Sequence, residues 1–212
     1  MKRLLSATLS VLLLSACSDG TQSETQPALN PTEADPASAY PAGPYGSGNP
    51  GVGEVVEDLP LRGYFNVNPS IDSTGTELRA GNLQELRASG MTHMAVITAA
   101  TWCSSCRAVA RELGKDLSER IAVAADAGGI VAQVMLDITD DSQIKAWAEF
   151  AELSTLVLAP GDARTRAVFN KREFAYVIEL ETMKVVFAED VGIYARPSAA
   201  FVVMDRLEEY LQ

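Results

Sequence analysis

The sequence predicts a single α/β domain of roughly 160 residues, long enough to bury its own core, and three patterns predict it. Apolar runs of strand length alternate with stretches whose apolar residues recur every three or four positions. Near the C-terminus two strand-like runs are separated by only three turn residues, as in a hairpin. An amphipathic stretch then closes the chain.

The elements follow in order. Val52, Val55, Val56, Leu59, Leu61, Tyr64, Phe65 and Val67, broken by Pro60 and Gly63, predict short strands or an opening hairpin over Gly51 to Val67. Asn82-Leu83-Gln84-Glu85 has the order of a capping box, with Glu85 at N3; its helix runs to Ser89 and stops at Gly90. Met94, Ala95, Val96, Ile97, Ala99 and Ala100 form a buried strand. Val109, Ala110, Leu113, Leu117 and Ile121 then share one helix face, and this helix is expected to continue to about Ala125 and end at Gly128-Gly129. Ile130 to Leu136 is the next buried strand, with Asp137 at its carboxyl end.

Asp140 or Asp141 caps a helix that turns Ile144, Trp147, Ala148, Phe150 and Leu153 inward. Leu156 to Leu158 is a short strand closed by Pro160-Gly161, and Ala163 to Phe169 a helical turn. Phe174 to Leu180 and Lys184 to Ala188 are strands joined through Glu181-Thr182-Met183. Ser198 to Leu211 ends the chain as a helix burying Phe201, Val202, Met204, Leu207 and Leu211. No internal repeat is visible.

Ahead of the domain, Met1-Lys2-Arg3 is a basic start, and Leu4 to Leu14 is an apolar core too short to span a bilayer. Residues 1–16 therefore read as a signal peptide. Residues 17–50 are rich in Pro, Gly, Ser, Thr and Ala, and from Ser18 onward read as a flexible tether that cannot offset its ordering entropy. Residues 51–212 are the folded domain. Loss of Lys2 and Arg3 with the signal takes the net charge from −11 to −13. Such a balance argues against nucleic acid or anionic lipid as a partner and keeps an exported domain soluble.

The chemistry concentrates at Trp102-Cys103-Ser104-Ser105-Cys106, between the buried strand and the long helix. Cys103 falls where the first-turn N–H groups lack intrahelical partners and the helix dipole favours an anion. An ordinary cysteine near pKa 8.5 is only about 3% thiolate at pH 7; a helix N-terminus can lower that pKa to roughly 3.5–7.5. Nucleophilicity falls along with the pKa, so the gain in rate is smaller than the gain in thiolate. Cys103 is thus the attacking thiol. Cys106, one turn on, can close a disulfide with it and resolves the mixed disulfide. Two other readings stand beside this one. A four-residue disulfide loop stabilises by only about 2 kcal/mol, which makes it a weak staple. A zinc site needs about four ligands, and the domain offers two Cys and His93, ten residues earlier at the far end of the strand.

The stretch Thr101-Trp102-Cys103-Ser104-Ser105-Cys106-Arg107, after a buried strand and before a long helix, resembles the active-site motif of the thioredoxin-like superfamily, nearest to its redoxin-type, membrane-attached bacterial members. The resemblance covers roughly residues 51–212 and implies a central mixed β-sheet flanked by helices. It implies a thiol–disulfide oxidoreductase whose only redox group is the cysteine pair, with no added cofactor or metal. Protein thiols and disulfides would be its substrates, and an upstream redox partner would reset it. Leu14-Ser15-Ala16-Cys17 resembles the bacterial lipobox, which implies cleavage before Cys17 and its acylation; two or more acyl chains anchor stably. In a Gram-negative host, Ser18 after the cysteine then implies the outer membrane, facing the periplasm, where disulfides persist.

Departures from that family are as informative. The buried acid that thioredoxins carry five residues before the Trp is replaced by Ile97. The cis-proline that many relatives carry before the hairpin is replaced, within a residue or so, by Glu173, and no proline lies between Pro160 and Pro197. A cis bond before a non-proline residue costs roughly 2.5–4 kcal/mol, so this loop is expected to be trans. Glu173 has three readings. Facing Cys106, it takes the resolving thiol's proton; facing Cys103, it raises that pKa and slows attack; or it is a solvated loop glutamate beside Lys171 and Arg172. Ser104 and Ser105 can hydrogen-bond the Cys103 sulfur, Trp102 shields the disulfide and meets partners, and Arg107 either favours the thiolate or is solvated.

Three functions compete: the oxidoreductase, a peroxiredoxin, and a non-catalytic module on the same fold that binds a partner or handles copper or another metal. A peroxiredoxin cysteine follows a Thr by three residues, whereas Ala100 holds that position here. The direction of exchange depends on the reduction potential, which spans roughly −270 to −120 mV across such motifs.

Overall fold

The computed structural model describes residues 39–46, 48–65, 77–152, 155–192 and 198–212. Cys17, Val67, Leu153, the signal peptide and the start of the tether lie outside them. Among the described residues, seven strands and six helices follow one another as β1 (Pro60–Tyr64), β2 (Leu78–Asn82), α1 (Leu83–Arg87), β3 (His93–Ala99), α2 (Ser104–Lys115), α3 (Ser118–Asp126), β4 (Gly129–Met135), α4 (Asp141–Ala151), β5 (Leu156–Pro160), α5 (Ala163–Val168), β6 (Phe174–Glu179), β7 (Lys184–Asp190) and α6 (Ala199–Tyr210). The strands form one mixed sheet in the order β2-β1-β5-β4-β3-β6-β7. β3, β4 and β5 run parallel, and β1, β2, β6 and β7 join antiparallel.

Both faces of the sheet are covered, so β3 and β4 are buried along nearly their whole length and largely apolar, with Thr98 and Gln133 as buried polar exceptions. On one face Met94, Val96, Ile130, Leu158, Tyr176 and Ile178 pack with α1 and α5. On the other, Ala95, Ile97, Val131, Ala175 and Val177 meet α2, α3 and α6. Leu113, with no exposure, and Val109 extend the apolar stripe of α2, and Ile121 continues it on α3. A third cluster joins Cys103, Cys106 and Ala110 to Met135, Ile144, Trp147 and Val157, which sets α4 beside the motif.

Several local signals act as the sequence dictates. Asn82 caps α1, its side chain accepting from the Glu85 N–H, while the Glu85 carboxylate turns to Arg79 instead of completing the box. Asp140 caps α4 by accepting from the Gln143 N–H. Gly90 (φ +83°) takes the left-handed turn after α1.

Three features differ from the sequence reading. The long helix after the motif is two helices. The Leu117 N–H reaches back five residues to the Glu112 carbonyl, a wide turn just after Gly114, whose helix propensity is about 1 kcal/mol below that of alanine. In α6 the buried positions are Ala199, Ala200, Val203, Met204 and Leu207, with Phe201, Val202 and Leu211 only half-buried. Residues 40–46 and 48–50, read as tether, lie against the body. The Tyr40 hydroxyl donates to the Val56 carbonyl at 2.7 Å, and Tyr45 bridges to Val55. Asn49 Oδ1 accepts from the Lys171 N–H at 3.1 Å and from the Tyr176 hydroxyl at 3.2 Å. Tyr40 and the buried Pro50 give this stretch the apolar surface that the rest of its composition lacks.

Candidate active site

β3 ends at Ala99, and the chain turns through Ala100-Thr101-Trp102 into α2 with Cys103 as its N-cap. The turn is braced from β4. Asp137, just beyond that strand, accepts from the Thr101 N–H at 3.0 Å and from its hydroxyl at 2.5 Å. Cys103 and Cys106 are joined by a disulfide with Cα atoms 5.3 Å apart, and each residue is only 2% exposed. Cys103 Sγ accepts the Cys106 N–H at 3.2 Å. The sulfur thus does the work of a capping oxygen at a helix end that favours negative charge.

The loop before β6 forms the other wall. Thr98, wholly buried on β3, donates from its hydroxyl to the Lys171 carbonyl at 2.5 Å and accepts the Phe174 N–H at 3.1 Å. The Glu173 N–H donates to the Thr98 carbonyl at 2.8 Å, and the Glu173 carbonyl accepts from Val191 at 3.0 Å. Held on both sides, Glu173 adopts φ +56°, a left-handed conformation that side-chain-bearing residues adopt only where surroundings over-determine it. The only cis peptide bond among the described residues is Gly43–Pro44; the loop at Glu173 is trans, as expected.

Glu173 is not a solvated glutamate: it is 7% exposed, and its side chain turns in toward the pair. Its Oε1 lies 3.7 Å from Cys103 Sγ and accepts a hydrogen bond from the Ser105 hydroxyl. Ser105 Oγ is itself 3.1 Å from Cys103 Sγ. The carboxylate therefore faces the leading sulfur and its serine neighbour; the Cys106 sulfur lies within 4.8 Å of it.

The remaining candidates separate cleanly. Ser104 is exposed, so of the two serines only Ser105 reaches the sulfur. Trp102 is 68% exposed, so burial does not hold it, and the Arg172 guanidinium lies 4.7 Å from its ring centroid. Arg107 stacks on Phe150 of α4 at 4.4 Å. Ile97 is buried among apolar neighbours. His93, at the opposite end of β3, stacks on Tyr210 with ring centroids 5.7 Å apart. Burial lowers its pKa, opposed by the nearby Glu179. Sequence reasoning gave Thr98, Thr101 and Asp137 no role in the site. An aspartate at the carboxyl end of a strand beside the motif was the available signal for the last of these.

Among the described residues no helix is long and apolar enough to cross a membrane. No protein-family model and no curated protein matches the chain. Solved structures do match in shape. The thioredoxin domain of a thiol-disulfide oxidoreductase from Bacteroides vulgatus superposes with a TM-score of 0.52 at 15% identity, covering 76% of this chain and 99% of that one. A solution structure from Bacteroides thetaiotaomicron, provisionally assigned as a protein disulfide isomerase, gives 0.54 at 16% identity, over 76% and 90%. At such identities the likeness is one of fold, and with the sheet order and the cysteine pair at the first turn after β3, it establishes that this chain has the thioredoxin-like fold.

Proposed function

We propose that the chain is a thiol–disulfide oxidoreductase that exchanges its Cys103–Cys106 pair with protein thiols and disulfides. The observation that carries this reading is the environment of Cys103 Sγ: it caps a helix N-terminus, accepts a backbone N–H, and is bonded to the cysteine one turn away. In the reducing direction the Cys103 thiolate attacks a substrate disulfide and expels one substrate thiolate, forming a mixed disulfide. The Cys106 thiolate then attacks Cys103 Sγ and expels the second. Two electrons pass to the substrate and the chain is left as found here. Run in reverse, the same steps oxidise a substrate dithiol, and an upstream redox partner resets the pair.

Glu173 tunes the attacking sulfur. In the reduced chain the Cys103 thiol has the Cys106 N–H favouring its ionised form, and a carboxylate 3.7 Å away opposing it. Ser105, donating to that carboxylate, turns its lone pairs toward the sulfur. Trp102 and Arg172 offer the outer face of the site to a partner.

The anchored location belongs to this proposal too. Cys17 is lipidated after removal of residues 1–16, and the domain is held in the cell envelope, at the outer membrane and facing the periplasm. The lipobox-like Leu14-Ser15-Ala16-Cys17 supports it. Fatty-acid labelling that persists in a Cys17→Ala chain would remove it.

Insulin-disulfide reduction driven by a small dithiol tests the activity. Turnover is expected, and Cys103→Ser is expected to abolish it. One observation favours a second reading, a binding module on the same fold: both sulfurs are almost fully covered. An unaltered chain that leaves insulin intact while retaining a reducible pair would select that reading.

A further inference from the structure

The two sulfurs and a Glu173 carboxylate oxygen lie within 4.8 Å of one another, and all three residues are buried. While the disulfide is closed neither sulfur can ligate a metal. Reduction by a dithiol or phosphine adds two electrons and two protons, breaks the S–S bond and leaves two thiols beside a carboxylate in a covered site. We propose that the reduced chain holds a borderline-soft divalent cation of the zinc class on Cys103, Cys106 and Glu173, and that oxidation of the pair by a substrate disulfide, which takes up the two electrons and leaves as two thiols, expels it.

Distance supports this. Tetrahedral zinc with Zn–S of about 2.3 Å and Zn–O of about 2.1 Å has an S···O edge of about 3.6 Å. Cys103 Sγ and Glu173 Oε1 are 3.7 Å apart. The ligands from α2 and from the β6 loop thus already stand one coordination edge apart, and the sulfurs need only part as reduction requires. Glu173 is fixed there by its backbone hydrogen bonds to Thr98 and Val191.

Charge points the same way. On binding, both thiols give up their protons to solvent as two metal–sulfur bonds form. A dication then offsets two thiolates and a carboxylate, which otherwise repel one another in a covered site. The ligand set selects the ion: two thiolates and a carboxylate suit Zn2+, whereas Cu+ prefers soft ligands alone. Three protein ligands leave the fourth position to a single water, as in zinc sites with three protein ligands. His93, at the far end of β3, takes no part. The inference rests on the reversible reduction contained in the oxidoreductase reading, and not on turnover.

The test uses the full chain, reduced with a phosphine, with its free thiols counted before metal is added. Co2+ serves as the optical probe and Zn2+ as its competitor. One cobalt per chain is expected, with thiolate-to-metal charge-transfer absorption that Zn2+ abolishes and that the oxidised chain never shows. Glu173→Gln is expected to weaken binding tenfold or more. Glu173→Asp, which keeps the charge but withdraws it by one methylene, is expected to shift the cobalt ligand-field bands. Two free thiols without cobalt uptake would sink the metal site and leave the exchange reading intact. A pair that resists reduction would sink both. Unchanged affinity in Glu173→Gln would overturn the assignment of the third ligand.

Discussion

Thr101 donates both its backbone N–H and its hydroxyl to the carboxylate of Asp137, at 3.0 and 2.5 Å, tying the turn before Cys103 to the end of the neighbouring strand. Asp137→Ala leaves the half-buried Thr101 N–H without that acceptor, a loss of about 1–3 kcal/mol. Chemical denaturation is expected to show that drop, and iodoacetamide labelling of the reduced chain a changed Cys103 rate. An unaltered midpoint would mean that water replaces the carboxylate at no cost.

Glu173→Gln removes the negative charge facing Cys103 while keeping the shape of the side chain. The pH midpoint for alkylation of Cys103 in the reduced chain is expected to move down, and the rate at neutral pH to rise by roughly three- to tenfold. A midpoint that moves up would show the carboxylate acting instead as a proton acceptor for the sulfur.

Trp102→Ala strips an exposed ring that packs on Arg172. Stability is expected to stay within about 0.5 kcal/mol. KM for a protein disulfide is expected to rise several-fold, with a small aromatic disulfide affected much less. Equal losses on both substrates would assign the ring to the geometry of the motif.

His93 has its pKa lowered by burial, against the attraction of Glu179. The unfolded chain therefore takes up the proton more readily, and this residue's contribution declines as pH falls from about 7 toward 5, through the unfolded value near 6.5. His93→Phe retains a ring against Tyr210 and is expected to flatten that part of a Tm-versus-pH profile. An unchanged slope would remove His93 as its source.

Much of this fold was legible because its signals are local. The apolar run of β3, the Asn82 and Asp140 caps and the hairpin turn at Met183 each rest on a few neighbouring residues. Long-range pairing was not legible: nothing in Pro60–Tyr64 says that it joins β2 and β5 on its two edges. The break between α2 and α3 escaped because the apolar stripe runs through it without a gap. At the site, Cys103 and Cys106 announce themselves by spacing. The direction of the Glu173 side chain does not, because it depends on a left-handed backbone held by Thr98, far away in sequence.

Asn49 bonds to the loop that leads to Glu173, and Tyr40 is tied to Val56. A chain tethered at its N-terminus and pulled from there would load these two clips before any strand of the sheet. The Asn49 clip would hand that force to Lys171, two residues from the carboxylate that faces the leading sulfur. In a chain anchored in that way, tension in the leash and the chemistry of the cysteine pair would share one short piece of backbone.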